Sequence, residues 1–160
     1  MPANRSIIAI RPYRASDCDT VLDIFNRSIR EVACRDYSPA QVAAWAHEDR
    51  DMAAFAAKHA SRPTFIAEVD GATAGFSDLA TDGLIDFLFV HPDFQRRGVG
   101  RALLAHVEAL ARRQAMARLY AEVSITARPL FEACGFGVRA IQSVEHHGQA
   151  FTNYRMEKRL

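Results

Sequence analysis

Residues 84–104 read LIDFLFVHPDFQRRGVGRALL, and the reading of this stretch decides how the chain is built. An apolar run rich in Ile, Phe and Val ends at His91-Pro92, a glycine-containing turn follows, and Val99, Leu103, Val107 and Leu110 then recur at helical spacing. The pattern predicts a strand from Leu84 to Val90, a turn, and a helix from Val99 to about Gln114. Pro92 lacks the N–H a sheet ladder needs and biases His91 away from helical dihedrals, so the strand must stop there. Gly98 and Gly100 remove side chains from the turn, leaving the unpartnered N–H groups at the positive end of the helix dipole open to an anion. Arg96, Arg97 and Arg101 surround the turn with positive charge. A nucleotide-type diphosphate is the expected guest.

Two familiar phosphate loops are excluded by the letters. A Walker loop needs a glycine followed by lysine, which occurs nowhere in the chain, and the dinucleotide fingerprint needs a third glycine where Leu103 stands. The run Gln95-Arg96-Arg97-Gly98-Val99-Gly100 instead resembles the Q/R-x-x-G-x-G/A motif of the GNAT superfamily, the acyl-coenzyme A-dependent N-acyltransferases. Val90-His91-Pro92 reproduces that family's V-x-P strand end. Residues Ala127 to Phe136, ARPLFEACGF, match its second motif, A-x-x-x-Y-x-x-x-G-F, at every spacing, with Phe131 in place of the tyrosine.

The resemblance covers essentially the whole chain and implies one GNAT-type domain over 1–160. Its fold would be α/β, with a mixed sheet of about seven strands, helices on both faces and a splayed parallel strand pair. Acetyl-coenzyme A would be the co-substrate, with no metal. Its pyrophosphate would lie on Gln95, Arg96, Arg97, Gly98, Val99, Gly100 and Arg101. Its pantetheine arm would run between the strands ending at Val90 and Val123, bonded to the backbone of Leu88, Phe89 and Val90, with one N–H polarising the thioester carbonyl. Ser124, where the family often has asparagine, and Phe131 would complete the cofactor site. Tyr37 and Trp45 would belong to the wall that receives the amine.

An alkyl amine with a pKa of about 10.4 is neutral in roughly one molecule in 2500 at pH 7, so a general base is needed. Asp86 is the first candidate, an acid inside an apolar strand and two residues from Leu88; Glu122, on the partner strand, is the second. Phe131 has no proton to give a leaving thiolate. A thiol pKa near 8.5 makes the thiolate a tolerable leaving group, and Tyr154 or Tyr37 could supply a hydroxyl from another wall. The expected reaction is acetyl transfer from acetyl-coenzyme A to a primary amine, borne by a small molecule or a peptide, by direct attack in a ternary complex. The alternative is an acyl-coenzyme A sensor or interaction module that does not catalyse.

The bulk numbers agree with one ordinary globular unit. At 160 residues, 49% hydrophobic and 24% charged, the chain can bury roughly two thirds of its unfolded surface. A net charge of +1 gives no reason to invoke nucleic acid or an anionic membrane. Cys18, Cys34 and Cys134 are an odd count without metal or disulfide spacing, and no segment resembles a signal peptide or a membrane span, so a reducing cytoplasm is expected.

The remaining elements follow in order. A first strand covers Ile7 to Ile10, and a helix capped by Ser16 runs to about Cys34. Ser38-Pro39 opens a short helix through Trp45, and another spans Asp51 to Ala60. Thr64–Val69 and Ala72–Ala80 form a hairpin about Asp70-Gly71. Leu119 to Val123 is a strand, parallel to the one ending at Val90. A helix over Ala127–Cys134 and strands over 138–144 and 150–156 complete the chain. His146 and His147 read as turn residues, and exposed edge strands near the C-terminus could pair two subunits into a homodimer.

Overall fold

A computed structural model describes residues 6–160 and builds them as seven strands and five α-helices. The first four strands are β1 (Ile8–Pro12), β2 (Thr64–Val69), β3 (Ala72–Asp78) and β4 (Leu88–Val90), and they form one antiparallel sheet in that order. The last three are β5 (Arg118–Ser124), β6 (Gly137–His146) and β7 (Gln149–Arg159), which form a second antiparallel sheet in the order β5-β7-β6. The helices are α1 (Cys18–Glu31), α2 (Pro39–Trp45), α3 (Met52–Ala60), α4 (Val99–Arg113) and α5 (Arg128–Ala133).

Strand alternation explains the layers. On β2 and β3, Phe65, Ala67, Val69 and Ala74 pack with Val99, Leu103, Leu104 and Val107 of α4, while Ile66 and Phe76 face the other way onto Val21, Ile24, Phe25 and Ile29 of α1 and Phe55 of α3. Helices therefore cover both faces, as expected. Among the described residues no helix is long and apolar enough to cross a membrane.

Local signals set most of the boundaries. Ser38 and Gln41 form a reciprocal capping box at α2, and Asp51 caps α3 through the Ala54 N–H. Asp70 and Gly71, both at positive φ, make the β2–β3 turn. Ser16 is not the cap of α1. A short 3₁₀ turn over Ala15–Asp17 precedes the helix, and Asp17 holds the corner by accepting the Arg14 N–H at 2.7 Å and both arms of the Arg11 guanidinium at 2.8 Å. Those bonds keep the Asp17 carboxyl below its ordinary range.

The expected strand over 84–90 is split between two partners. Leu88 to Val90 pair with β3, whereas Leu84 makes a single parallel bridge to Tyr120, through Ile85 N–H to Tyr120 C=O and Tyr120 N–H to Gly83 C=O. Beyond that bridge β4 and β5 diverge, and no ladder joins them. The switch is made by Asp78 at the end of β3. Its buried Oδ1 accepts the N–H groups of Asp86 and Phe87, each at 2.9 Å, in place of continued backbone pairing. Burial raises the Asp78 pKa to about 6, opposed by those N–H bonds and by Arg62 at 3.4 Å.

Asp78→Ala leaves two partly buried N–H groups without an acceptor and should lower stability by about 1–3 kcal/mol in total; denaturant unfolding measures this. Asp78→Asn keeps an acceptor oxygen and should stay near wild type at pH 7. Because the folded pKa lies above the ordinary 3.8, the wild type gains stability relative to the Asn variant as pH falls from about 6 to 4.

Candidate functional site

The divergence of β4 and β5 opens into a cavity of about 710 Å³, lined by residues 84–89, residues 120–124, Ala127 and Phe131, and beyond them by Phe25, Tyr37, Trp45, Arg50 and Phe151. The open edge of β4 can be read from its pairing. His91 N–H bonds Ala74 C=O at 2.8 Å and Phe89 stands opposite Phe76, so alternation turns the backbone groups of Phe89 into the sheet and those of Leu88 and Val90 toward β5. The Val90 C=O is taken by the side-chain amide of Gln95 at 2.9 Å, leaving the Leu88 N–H and C=O and the Val90 N–H on the open edge. Of the three residues expected to offer backbone contacts, Leu88 and Val90 face the gap and Phe89 does not. Its ring instead packs at 4.8 Å on Phe25.

The glycine loop lies at the end of that edge. Gly98 is left-handed at φ 84 and starts α4, Arg96 is left-handed at φ 59, and Arg96, Arg97 and Arg101 are exposed around it, with Arg97 over the Phe94 ring. This geometry gives a helix N-terminus with cations about it, suited to phosphate oxygens. Gly100 also has a packing task. A Cβ there would stand 2.6 Å from Leu130 Cδ2, so its bareness lets α5 pack against the start of α4.

The catalytic candidates separate. Asp86 lines the cavity, but it precedes β4, so the two-residue alternation from Leu88 does not reach it. Its Oδ2 pairs with Lys58 Nζ at 2.9 Å and Arg62 at 3.5 Å. Glu122 also lines the cavity, on the face of β5 opposite core-facing Ala121 and Val123, and among the described residues it makes no ion pair. Ser124 Oγ accepts the Ala127 N–H at 3.0 Å and keeps its own proton to donate. Phe131 is buried edge-on to Phe136, with centroids 5.0 Å apart.

Neither tyrosine offers a free hydroxyl to the cavity. The Tyr37 hydroxyl donates to Thr152 C=O at 3.1 Å and accepts from Ile125 N–H at 2.9 Å, and burial raises its pKa, so it is a fixed wall with its ring edge-on to Trp45. Tyr154 lies on the face of β7 opposite Phe151 and Asn153, which line the cavity, and its ring carries the Arg128 guanidinium at 4.4 Å.

Three groups escaped the sequence reading. Asp78 is one, an acid in an apolar strand and so detectable by the argument applied to Asp86. Arg50 stacks over Phe25 at 4.6 Å and donates to Trp45 C=O, and burial lowers its pKa. His47 stands against His146 and His147. Burial, Arg50 and the neighbouring histidines hold His47 and His146 below the ordinary imidazole value.

Comparison with known proteins fits this geometry. Residues 33–158 match the family model described as an acetyltransferase (GNAT) domain. The chain is 36% identical over 149 residues to the uncharacterised N-acetyltransferase YafP of Escherichia coli K12, covering 93% of this chain and 94% of that one. The crystal structure of a GCN5-related N-acetyltransferase from Rhodopseudomonas palustris superposes with a TM-score of 0.93 at 34% identity, over all of both chains. The structure of YncA, a putative acetyltransferase of Salmonella typhimurium solved with acetyl-coenzyme A, shares the fold at a TM-score of 0.73 and 22% identity, over 96% of this chain and 94% of that one.

The packing role of Gly100 is testable without any ligand. Gly100→Val should destabilise the fold by about 1–3 kcal/mol through overpacking against Leu130. Adding Leu130→Ala should then cost less than it does alone, a coupling that a double-mutant cycle reads directly.

Proposed function

The chain belongs to the GNAT acetyltransferase family and is an acyltransferase, and from that premise we propose that it moves the acetyl group of acetyl-coenzyme A to a primary amine by direct attack in a ternary complex. The observation that carries this reading is the open edge of β4, with the Leu88 N–H unpaired and the glycine loop at its end. The pyrophosphate sits on the N–H groups that begin α4, with Arg96, Arg97 and Arg101 around it. The pantetheine amides bond to Leu88 C=O and Val90 N–H as a short false strand. The thioester carbonyl accepts the Leu88 N–H, which stabilises the oxyanion as the amine attacks.

The amine enters from the aromatic side of the cavity, between Phe25, Trp45 and Phe151. Glu122 is the general base in this proposal, ahead of Asp86, because it lines the cavity without an ion-pair partner among the described residues, whereas the Asp86 carboxylate is held by Lys58 and Arg62. Collapse of the tetrahedral intermediate forms the amide and expels the coenzyme A thiolate. With Phe131 in the usual acid position, that thiolate takes its proton from water, as a thiol pKa near 8.5 allows. Phe131 also supports the second reading, a domain that binds acyl-coenzyme A without transfer; turnover of any amine at an enzymatic rate rules it out.

Calorimetric titration with acetyl-coenzyme A, beside ATP and NAD, should show selective binding. Gly98→Ala should weaken it at least about tenfold while the protein stays folded, since a methyl at φ 84 strains the loop by about 1–2 kcal/mol. Unaltered affinity would displace the pyrophosphate from this loop. Glu122→Gln should lower kcat/KM by about 10²-fold or more at pH 7, with the deficit shrinking as pH approaches the amine's own pKa. Asp86→Asn should cost less than Glu122→Gln, and the reverse order would make Asp86 the base.

A further inference from the structure

Beyond the aromatic wall, three imidazoles from two distant parts of the chain come together. His47 lies two residues past the end of α2, His146 ends β6, and His147 begins the β6–β7 turn. Neighbouring residues on a strand point to opposite faces, but His147 is left-handed at φ 47, which breaks the alternation and lets both rings reach His47. The ring centroid of His47 lies 4.0 Å from that of His147 and 5.9 Å from that of His146, and the latter two are 4.6 Å apart. Each ring offers a nitrogen, and these atoms all lie within 4.8 Å of one another. His47 Nδ1 is buried and, among the described residues, has no hydrogen-bond partner.

We propose that His47, His146 and His147 form a binding site for a divalent transition-metal ion of the zinc type. Tetrahedral zinc with bonds of about 2.0–2.1 Å sets its nitrogen ligands about 3.4 Å apart, a separation these rings reach by modest rotation of their side chains. Imidazoles without carboxylates select Zn²⁺, Ni²⁺, Co²⁺ or Cu²⁺ over Mg²⁺ and Ca²⁺. Arg50 opposes a cation here and Asp49 favours one, so the imidazoles supply the binding. Three protein ligands leave one coordination position for water or for a donor atom of another molecule. His146 and Glu145 line the acceptor cavity, so the ion sits at its rim and ties the loop after α2 to the β6–β7 hairpin. The proposal does not depend on acetyl transfer.

Titration of the metal-free full-length chain with Co²⁺, and then with Zn²⁺ to displace it, tests the site, with Mg²⁺ as the hard-ion control. The expected result is one equivalent of Co²⁺ with visible d–d absorption and no thiolate charge-transfer band, displaced by Zn²⁺ and indifferent to Mg²⁺. His47→Gln and His147→Asn should each weaken binding at least about tenfold; asparagine tolerates the left-handed turn, so the hairpin survives. Circular dichroism matching the wild type confirms that these variants are folded. Absence of stoichiometric binding, a thiolate band assigning the metal to Cys18, Cys34 or Cys134, or undiminished affinity in the folded His147→Asn variant would each overturn the site.

Discussion

The carboxylate of Asp78 holds the two N–H groups that would otherwise seek partners along the β3–β4 ladder, and the site depends on that substitution. It lets the chain leave β5 after Ile85 and join β3 by Leu88, so two strands that touch at Leu84 and Tyr120 stand apart further on. An extended backbone with an unpaired edge is exposed inside the molecule as a result. The burial that makes Asp78 unusually basic for an aspartate accompanies this geometry, and Arg62 links it to Asp86 at the cavity wall.

The halves of the site are made of different material. On the side proposed for the donor, the groups on offer are main-chain amides and the start of a helix, which any sequence could supply, held in place by Gly98, by Gly100 against Leu130, and by Gln95 bonding the strand end. On the acceptor side the walls are side chains: Trp45 edge-on to Tyr37 and Phe151, and Arg50 over Phe25. Such an arrangement separates a generic task from a selective one. Aromatic faces and one partly buried cation can change by substitution without disturbing the backbone along the open edge of β4.

Much of this was legible in the letters, and the failures have a common physical origin. LIDFLFV reads as one strand because both halves are extended and apolar, and hydropathy carries no record of which neighbour each half bonds. Leu88, Phe89 and Val90 looked equivalent because only pairing with β3 tells which backbone groups point outward. Gly100 announced a missing side chain but not that Leu130 fills the space. His146 and His147 look like turn residues, but only His147 is one and His146 ends β6; His47, remote in sequence, is brought to them by the fold. By contrast Ser38-Pro39, Asp70-Gly71 and the helix after Gly98 were read correctly, since capping, tight turns and helical periodicity are decided within a few residues.

The order β5-β7-β6 has a consequence for how the molecule comes into being. The strand that joins the second sheet together is made after both of its neighbours, so until β7 emerges from the ribosome β5 and β6 have no common partner, and the half of the gap that β5 forms lacks its antiparallel ladder. The first sheet, whose strands follow one another in space as in sequence, can assemble as it is synthesised. A nascent chain therefore carries a finished first sheet while the second is incomplete, and the wall that β5 lends to the gap is fully paired only when β7 slides into the middle.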